Sequence, residues 1–147
     1  MNRKIRIYIA SPYSNGWHAD NVRRQLEAKH ILMDNGFVPF APLENHFSEI
    51  YRHRRENEWL NWDLEWLSVC DILVRIRAFY SNGNEIPSAG VDIEVERANN
   101  LNIPVFVFEN IDHLKMWSET VDKIKLWNFA NTEIRNTSLR DELTINP

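Results

Sequence analysis

The chain has 147 residues, 44% of them hydrophobic and 26% charged, with a formal net charge of -4. That balance belongs to a soluble globular protein long enough to bury its own core, and one domain spanning residues 1–147 is expected. The negative charge argues against attraction to nucleic-acid polymers, and no apolar run approaches the ~20 residues that cross a bilayer, so neither a polymer nor a membrane is an expected partner.

The single cysteine, Cys70, has no internal disulfide partner, and a reducing, cytoplasmic setting is expected. It lies in the apolar stretch Val69-Cys70-Asp71-Ile72-Leu73, which reads as a buried, inert thiol. The start, Met1-Asn2-Arg3-Lys4, runs into a short strand without the long apolar core of a signal peptide.

Strand and helix alternate along the chain. Ile5 to Ala10 is a β-branched and aromatic run closed by Ser11-Pro12. Beyond Asn15-Gly16, the residues Ala19, Val22, Leu26, His30 and Met33 recur at helical spacing, and Asn35-Gly36 supplies a stop. On that face His30 reads as a satisfied core histidine. Phe37 to Phe40 is a second strand, kept short or at an edge by Pro39 and Pro42.

Residues 43–55 form a polar, aromatic-dotted connection. It contains the basic run Arg52-His53-Arg54-Arg55, which is either a solvated helix start or a phosphate contact. A helix follows from about Glu56 to Ser68, and Asp71 to Ile76 has the unbroken apolar character of a strand buried on both faces. Phe79 to Pro87 is a loop, Ser88 opens a helix reaching Leu101, and Ile103 to Phe108 is the fourth strand. Residues 110–130 look helical, while the tail past Asn131 is weakly patterned.

This rhythm predicts an α/β fold: a flavodoxin- or Rossmann-like three-layer sandwich around a parallel sheet of four or five strands, ordered 2-1-3-4. Ligands bind such sheets beyond the carboxyl ends of the strands, at the switch point between strands one and three. That places Ser11 to Gly16 and Phe79 to Glu94 around one crevice.

Four features converge there. The turn Ala10-Ser11-Pro12-Tyr13-Ser14 is built of small residues that admit a ligand to the backbone, making Ser11, Tyr13 and Ser14 candidate binding residues. Ser88 reads as an ordinary N-cap, yet with Gly90 beside it the same geometry is a phosphate cradle. Glu94 sits about one turn into the helix, where the dipole favours its ionised form. It is a solvated helix glutamate on spacing alone, or a nucleophile if a pocket lies beside it. Asp63 falls at the edge of a stripe formed by Leu60, Leu64 and Leu67, where burial would raise its pKa and suit it to protonate a leaving base. Trp59, Trp62 and Trp66 mark a second face of that helix, either core or subunit interface.

The motifs Tyr8-Ile9-Ala10-Ser11-Pro12-Tyr13, Asp63-Leu64-Glu65-Trp66-Leu67 ahead of Cys70-Asp71-Ile72-Leu73-Val74, and Ser88-Ala89-Gly90-Val91-Asp92-Ile93-Glu94 occur in order. Together they resemble the nucleoside 2-deoxyribosyltransferase superfamily, which includes the deoxynucleoside 5'-monophosphate N-glycosidases. The resemblance covers roughly residues 4–108.

It implies that Glu94 is the nucleophile of a covalent sugar–enzyme intermediate, that Tyr8 orients its carboxylate, and that Asp63 works near the leaving base. It also implies a homo-oligomer with sites built across subunits. Transferases acting on free nucleosides tend to carry an aspartate six residues before the nucleophile, where the monophosphate hydrolases carry serine; Ser88 matches the hydrolases. Ser11 departs from the family's usual glycine, and the longer loop 79–87, with Phe79 and Tyr80, is expected to reshape the base pocket.

The function implied is hydrolysis of the N-glycosidic bond of a (deoxy)ribonucleoside 5'-monophosphate, with neither cofactor nor metal. His46 and His53 are seven residues apart, with no close ligand cluster beside them. The alternatives are a base-exchanging transferase, a non-catalytic nucleotide-binding protein and a redox flavoprotein.

Overall fold

A computed structural model describes residues 3–131. The weakly patterned tail falls outside the described residues. The elements are β1 (Arg6–Ala10), α1 (His18–Asp34), β2 (Val38–Phe40), a single 3-10 turn (Pro42–Glu44), α2 (Asn45–Ser48), α3 (Glu56–Leu67), β3 (Ile72–Ile76), α4 (Ala89–Asn100), β4 (Val105–Phe108), α5 (Ile111–Thr120) and α6 (Lys123–Asn131). The strands form one parallel sheet in the order β2-β1-β3-β4, and no fifth strand joins it among the described residues. This is the expected α/β sandwich, Rossmann-like in its layers.

The period-two alternation of each strand sorts side chains between two layers. Ile7 and Ile9 of β1, Ile72, Val74 and Ile76 of β3, and Phe106 and Phe108 of β4 turn toward α1, α5 and α6. Tyr8, Ala10, Leu73 and Val105 turn the other way, toward Leu67 of α3 and Val91 and Ala98 of α4. Asp71, just ahead of β3, accepts two hydrogen bonds from Arg3 at 2.7 and 2.9 Å and one from the Arg6 backbone at 2.8 Å, which fixes the start of β1 against β3.

Local chemistry sets the element ends. Gly36 adopts φ +84° directly after the Asn35 cap of α1, a conformation that costs glycine nothing. Gly16 precedes α1 with φ +82°, a conformation that favours glycine, and a Cβ there would press on the end of the Ile86 side chain at 3.2 Å. Glu58 accepts from the Arg55 backbone at 2.8 Å ahead of α3, and Ser88 accepts from the Val91 backbone at 3.2 Å ahead of α4.

Several expectations need correction. The buried face of α1 is Asn21, Val22, Gln25, Ala28 and Leu32, whereas Ala19, His30 and Met33 are exposed. His30 is therefore not a core histidine. The reason is polar: Gln25 is buried because it bridges the Ile9 carbonyl at 3.3 Å, Ser11 Oγ at 3.0 Å and the Leu43 backbone N–H at 2.7 Å. Asn21 likewise donates to the Tyr13 and Asn15 carbonyls at 2.9 and 2.8 Å, closing the turn after β1.

Cys70 is only half-buried, although the surrounding protein still pushes its thiol up to about 12. The connection 43–55 contains α2, and residues 110–130 divide into α5 and α6.

Candidate active site

A cavity of about 520 Å³ opens beyond the carboxyl end of β1, within the size range of small-molecule sites. Its walls are the turn after β1, the segment from Pro42 to Arg54, the inner face of α3 and the first turns of α4. Ser11, Tyr13, Ser14, Asp63, Ser88, Gly90 and Glu94 all line it, so residues far apart in sequence meet in one place. Phe79 to Pro87 does not line it, contrary to expectation. Arg77 holds that loop aside, lying over the Phe79 ring at 5.0 Å and pairing with Glu85 at 3.0 Å. The loop's contribution is indirect: the Pro87 carbonyl accepts from Asn15 at 2.8 Å and steadies the turn.

Glu94 reaches the cavity because Val91, Glu94 and Ala98 share the buried stripe of α4. Only 7% of it is exposed, and the Tyr8 hydroxyl, from a residue 86 positions away, donates to its Oε2. Tyr8 itself is fully buried, with its hydroxyl held well above the ordinary phenol range by burial and then by the charge of Glu94.

The helix dipole that favours an ionised Glu94 is opposed by burial of its carboxyl. Burial pushes its carboxyl up to about 8, the Tyr8 hydrogen bond pulls it down, and the charge of Asp63 pushes it up further. Desolvation of a carboxylate inside the protein outweighs a half-charge at a helix end that is partly answered by its own caps.

Asp63 is 8% exposed on the inner face of α3, and burial raises it to about 7. It accepts a hydrogen bond from Asn45 Nδ2 at 2.8 Å, which acts in the opposite sense. Of the leucine stripe only Leu67 is fully buried; Leu60 and Leu64 are half-buried, and Leu60 joins the cavity wall.

The tryptophans do not share one environment. Trp59 turns into the cavity rim and its indole N–H donates to Glu49, whereas Trp62 and Trp66 remain 54% and 45% exposed on the outside of α3.

Around the candidate Tyr13 the rim is completed by side chains that spacing did not single out for the site, among them His18, His46 and Glu49. Tyr13 shares a hydrogen bond with His46 Nδ1 at 2.7 Å and stacks on His18 at 4.6 Å. Glu49 gathers Trp59, His53 and the Arg54 backbone, and these hydrogen bonds, led by the indole's, hold its carboxyl below the usual range. Of the basic run, His53 and Arg54 line the cavity. No sequence signal marked Asn45, His46 or Glu49 as neighbours of Asp63 or Tyr13, because an irregular segment brings them there. Gln25 and Asn21 were legible in principle, as two polar residues four apart on a helix that must pack against a sheet. No group of three or more metal-ligating side chains gathers among the described residues.

The layers and the strand order define a Rossmann-like α/β protein with a buried carboxyl pair at the carboxyl edge of its sheet. The model of the nucleoside 2-deoxyribosyltransferase family matches residues 7–128, and the chain belongs to that family; it is an enzyme of the N-glycosidic bond. Among solved structures, the 2-deoxyribosyltransferase from the psychrotolerant bacterium Bacillus psychrosaccharolyticus is 24% identical. The match covers 97% of this chain and 98% of that one with a TM-score of 0.55, a likeness of fold. No curated protein matches the chain. No helix among the described residues is long and apolar enough to cross a membrane.

Proposed function

We propose that the protein transfers 2-deoxyribose between bases through a covalent glutamyl–sugar intermediate. The observation that carries this reading is the buried Glu94 carboxyl in the cavity, with Oε2 held by the Tyr8 hydroxyl and Oε1 left to attack. Glu94 Oε1 bonds to the anomeric carbon as the carbon–nitrogen bond breaks, and the bond's electron pair leaves with the base. Asp63, near 7 and so able to hold or release a proton at neutral pH, protonates that base. In the second half the incoming base attacks the same carbon, Glu94 departs as carboxylate, and Asp63 takes back a proton. Positive charge on the sugar in each transition state favours the ionised form of Glu94, offsetting the cost of its burial.

A second reading is hydrolysis of a deoxynucleoside 5'-monophosphate, with water resolving the intermediate. Ser88 favours it: its oxygen accepts from the Val91 N–H, leaving its own proton free to donate to a phosphate at the start of α4. The family match supports transfer ahead of it.

Incubation with 2'-deoxynucleosides and their 5'-monophosphates, with and without a second free base, separates the two. Transfer yields a new nucleoside only when the acceptor is present. Free base and sugar 5-phosphate formed at the same rate without acceptor would select hydrolysis, and Ser88→Ala should then weaken monophosphate use by about tenfold to a hundredfold. If no substrate in the panel loses its base, both readings fail.

A further inference from the structure

Asn45 begins α2 on the cavity wall, and it alone among the described residues supplies a hydrogen bond to Asp63, from Nδ2 to Oδ1 at 2.8 Å. We propose that Asn45 is a positioning residue that decides which oxygen of Asp63 carries the exchangeable proton, and thereby tunes when Asp63 gives that proton to a base. The proposal rests on the role given above to Asp63 as acid and base.

An amide nitrogen only donates, so Oδ1 of Asp63 is occupied as an acceptor and a proton on this carboxyl sits on Oδ2. One oxygen is thereby committed to the protein and the other is reserved for the substrate. Asn45 is itself held. Just before it, the Leu43 N–H donates to Gln25 Oε1 at 2.7 Å, and the same Gln25 amide donates to Ser11 Oγ. The segment that leads into Asn45 is thus tied through Gln25 to the turn after β1.

The other groups around Asp63 do not substitute for it. Tyr8 from β1 is engaged with Glu94 from α4, and Asp63 raises the pKa of each by its charge. His46 and Glu49, on and just past α2, are bonded to Tyr13 and to Trp59 with His53. Glu56, on the same helix as Asp63, accepts from Ser14 at 3.4 Å. Asn45 is what opposes the upward push of burial on Asp63.

The test is a carboxyl titration by carbon-13 NMR on the full chain, with the Asp63 signal assigned by its loss in Asp63→Asn. Asn45→Leu and Asn45→Ala should each raise the Asp63 midpoint by about one pH unit, the share one charge-assisted hydrogen bond contributes. Asn45→Gln, which keeps an amide donor on a longer arm, should recover part of that shift. The alkaline limb of base release should move upward by the same amount in the Leu and Ala variants. An unmoved midpoint in both variants overturns the proposal, as does a moved midpoint beside an unmoved limb in an active enzyme. If wild type releases base from no deoxynucleoside, the function proposed above fails separately, and the NMR midpoint alone then decides whether Asn45 controls Asp63.

Discussion

The two faces of the sheet are built from the same strands and do different work. The face under α1, α5 and α6 carries the larger apolar core, with Trp117 stacked on Phe37 at 5.8 Å and against Phe106 and Phe108 at 5.6 and 5.3 Å. The face under α3 and α4 is smaller, and it buries Tyr8, Asp63 and Glu94 among its aliphatic side chains. Carboxyls buried there are costly unless used or paired, and their cost is carried by the aromatic layer on the other side. The contrast teaches that this fold separates what holds it together from what reacts.

The largest expected effect lies on the polar face. Glu94→Gln should lower turnover by roughly 10^3-fold or more, read as base released per enzyme per unit time, with the fold intact by circular dichroism. It should also change the pH dependence of stability. Glu94 has a folded-state pKa pushed up to about 8 from 4.5, so its contribution is fully present below its unfolded value and is lost as pH rises through about 8. Wild type should therefore lose stability across that window, and Glu94→Gln should lose less, by at most about 4–5 kcal/mol. Identical slopes in urea unfolding of the two proteins from pH 4.5 to 8 would remove the argument that Glu94 is strained by burial.

Trp117→Ala probes the other face and should behave in the opposite way. Removing this fully buried ring should cost about 3–5 kcal/mol of stability, while the remaining folded protein keeps its turnover at low temperature. A large loss of turnover in folded Trp117→Ala would break the division between the faces.

A smaller effect is expected from Tyr8→Phe, which leaves the ring in place and deletes only the hydroxyl that donates to Glu94. Turnover should fall about tenfold to a hundredfold, the worth of one hydrogen bond to a charged group. The acidic limb of the pH profile should move upward, because the hydroxyl is what lowers the Glu94 pKa. Wild-type kinetics in this variant would leave Tyr8 as a packing residue of the smaller core.

Much of the fold was legible because it rests on local periodicity. The apolar run of β3, the cap Ser88 and the stop at Asn35-Gly36 each sit where short-range rules place them. The strand order followed from alternation of strand and helix, which constrains handedness and connection. Spacing misplaced the inner face of α1, because Asn21 and Gln25 are buried to tie loops together and displaced the apolar residues expected there. Loop 79–87 was also misplaced: it lies against Arg77 through Phe79 and Glu85, and Arg77 is itself bonded to Glu109, 32 positions away.

By itself the sequence determined the alternating strands and helices of the parallel sheet and the edge position of Asp63, which follow from patterns within one strand or one helix, while the roles of Tyr8, Ser88 and Glu94 came from the family resemblance of their motifs. Only the tertiary structure decided in which direction their pKa values move and who their partners are. Asn45 reaches Asp63 from an irregular segment, and the Tyr8 hydroxyl meets Glu94 across two layers. The pKa of a carboxyl is set by how much water its surroundings exclude and which donors remain, and both depend on chain segments that no local pattern brings together.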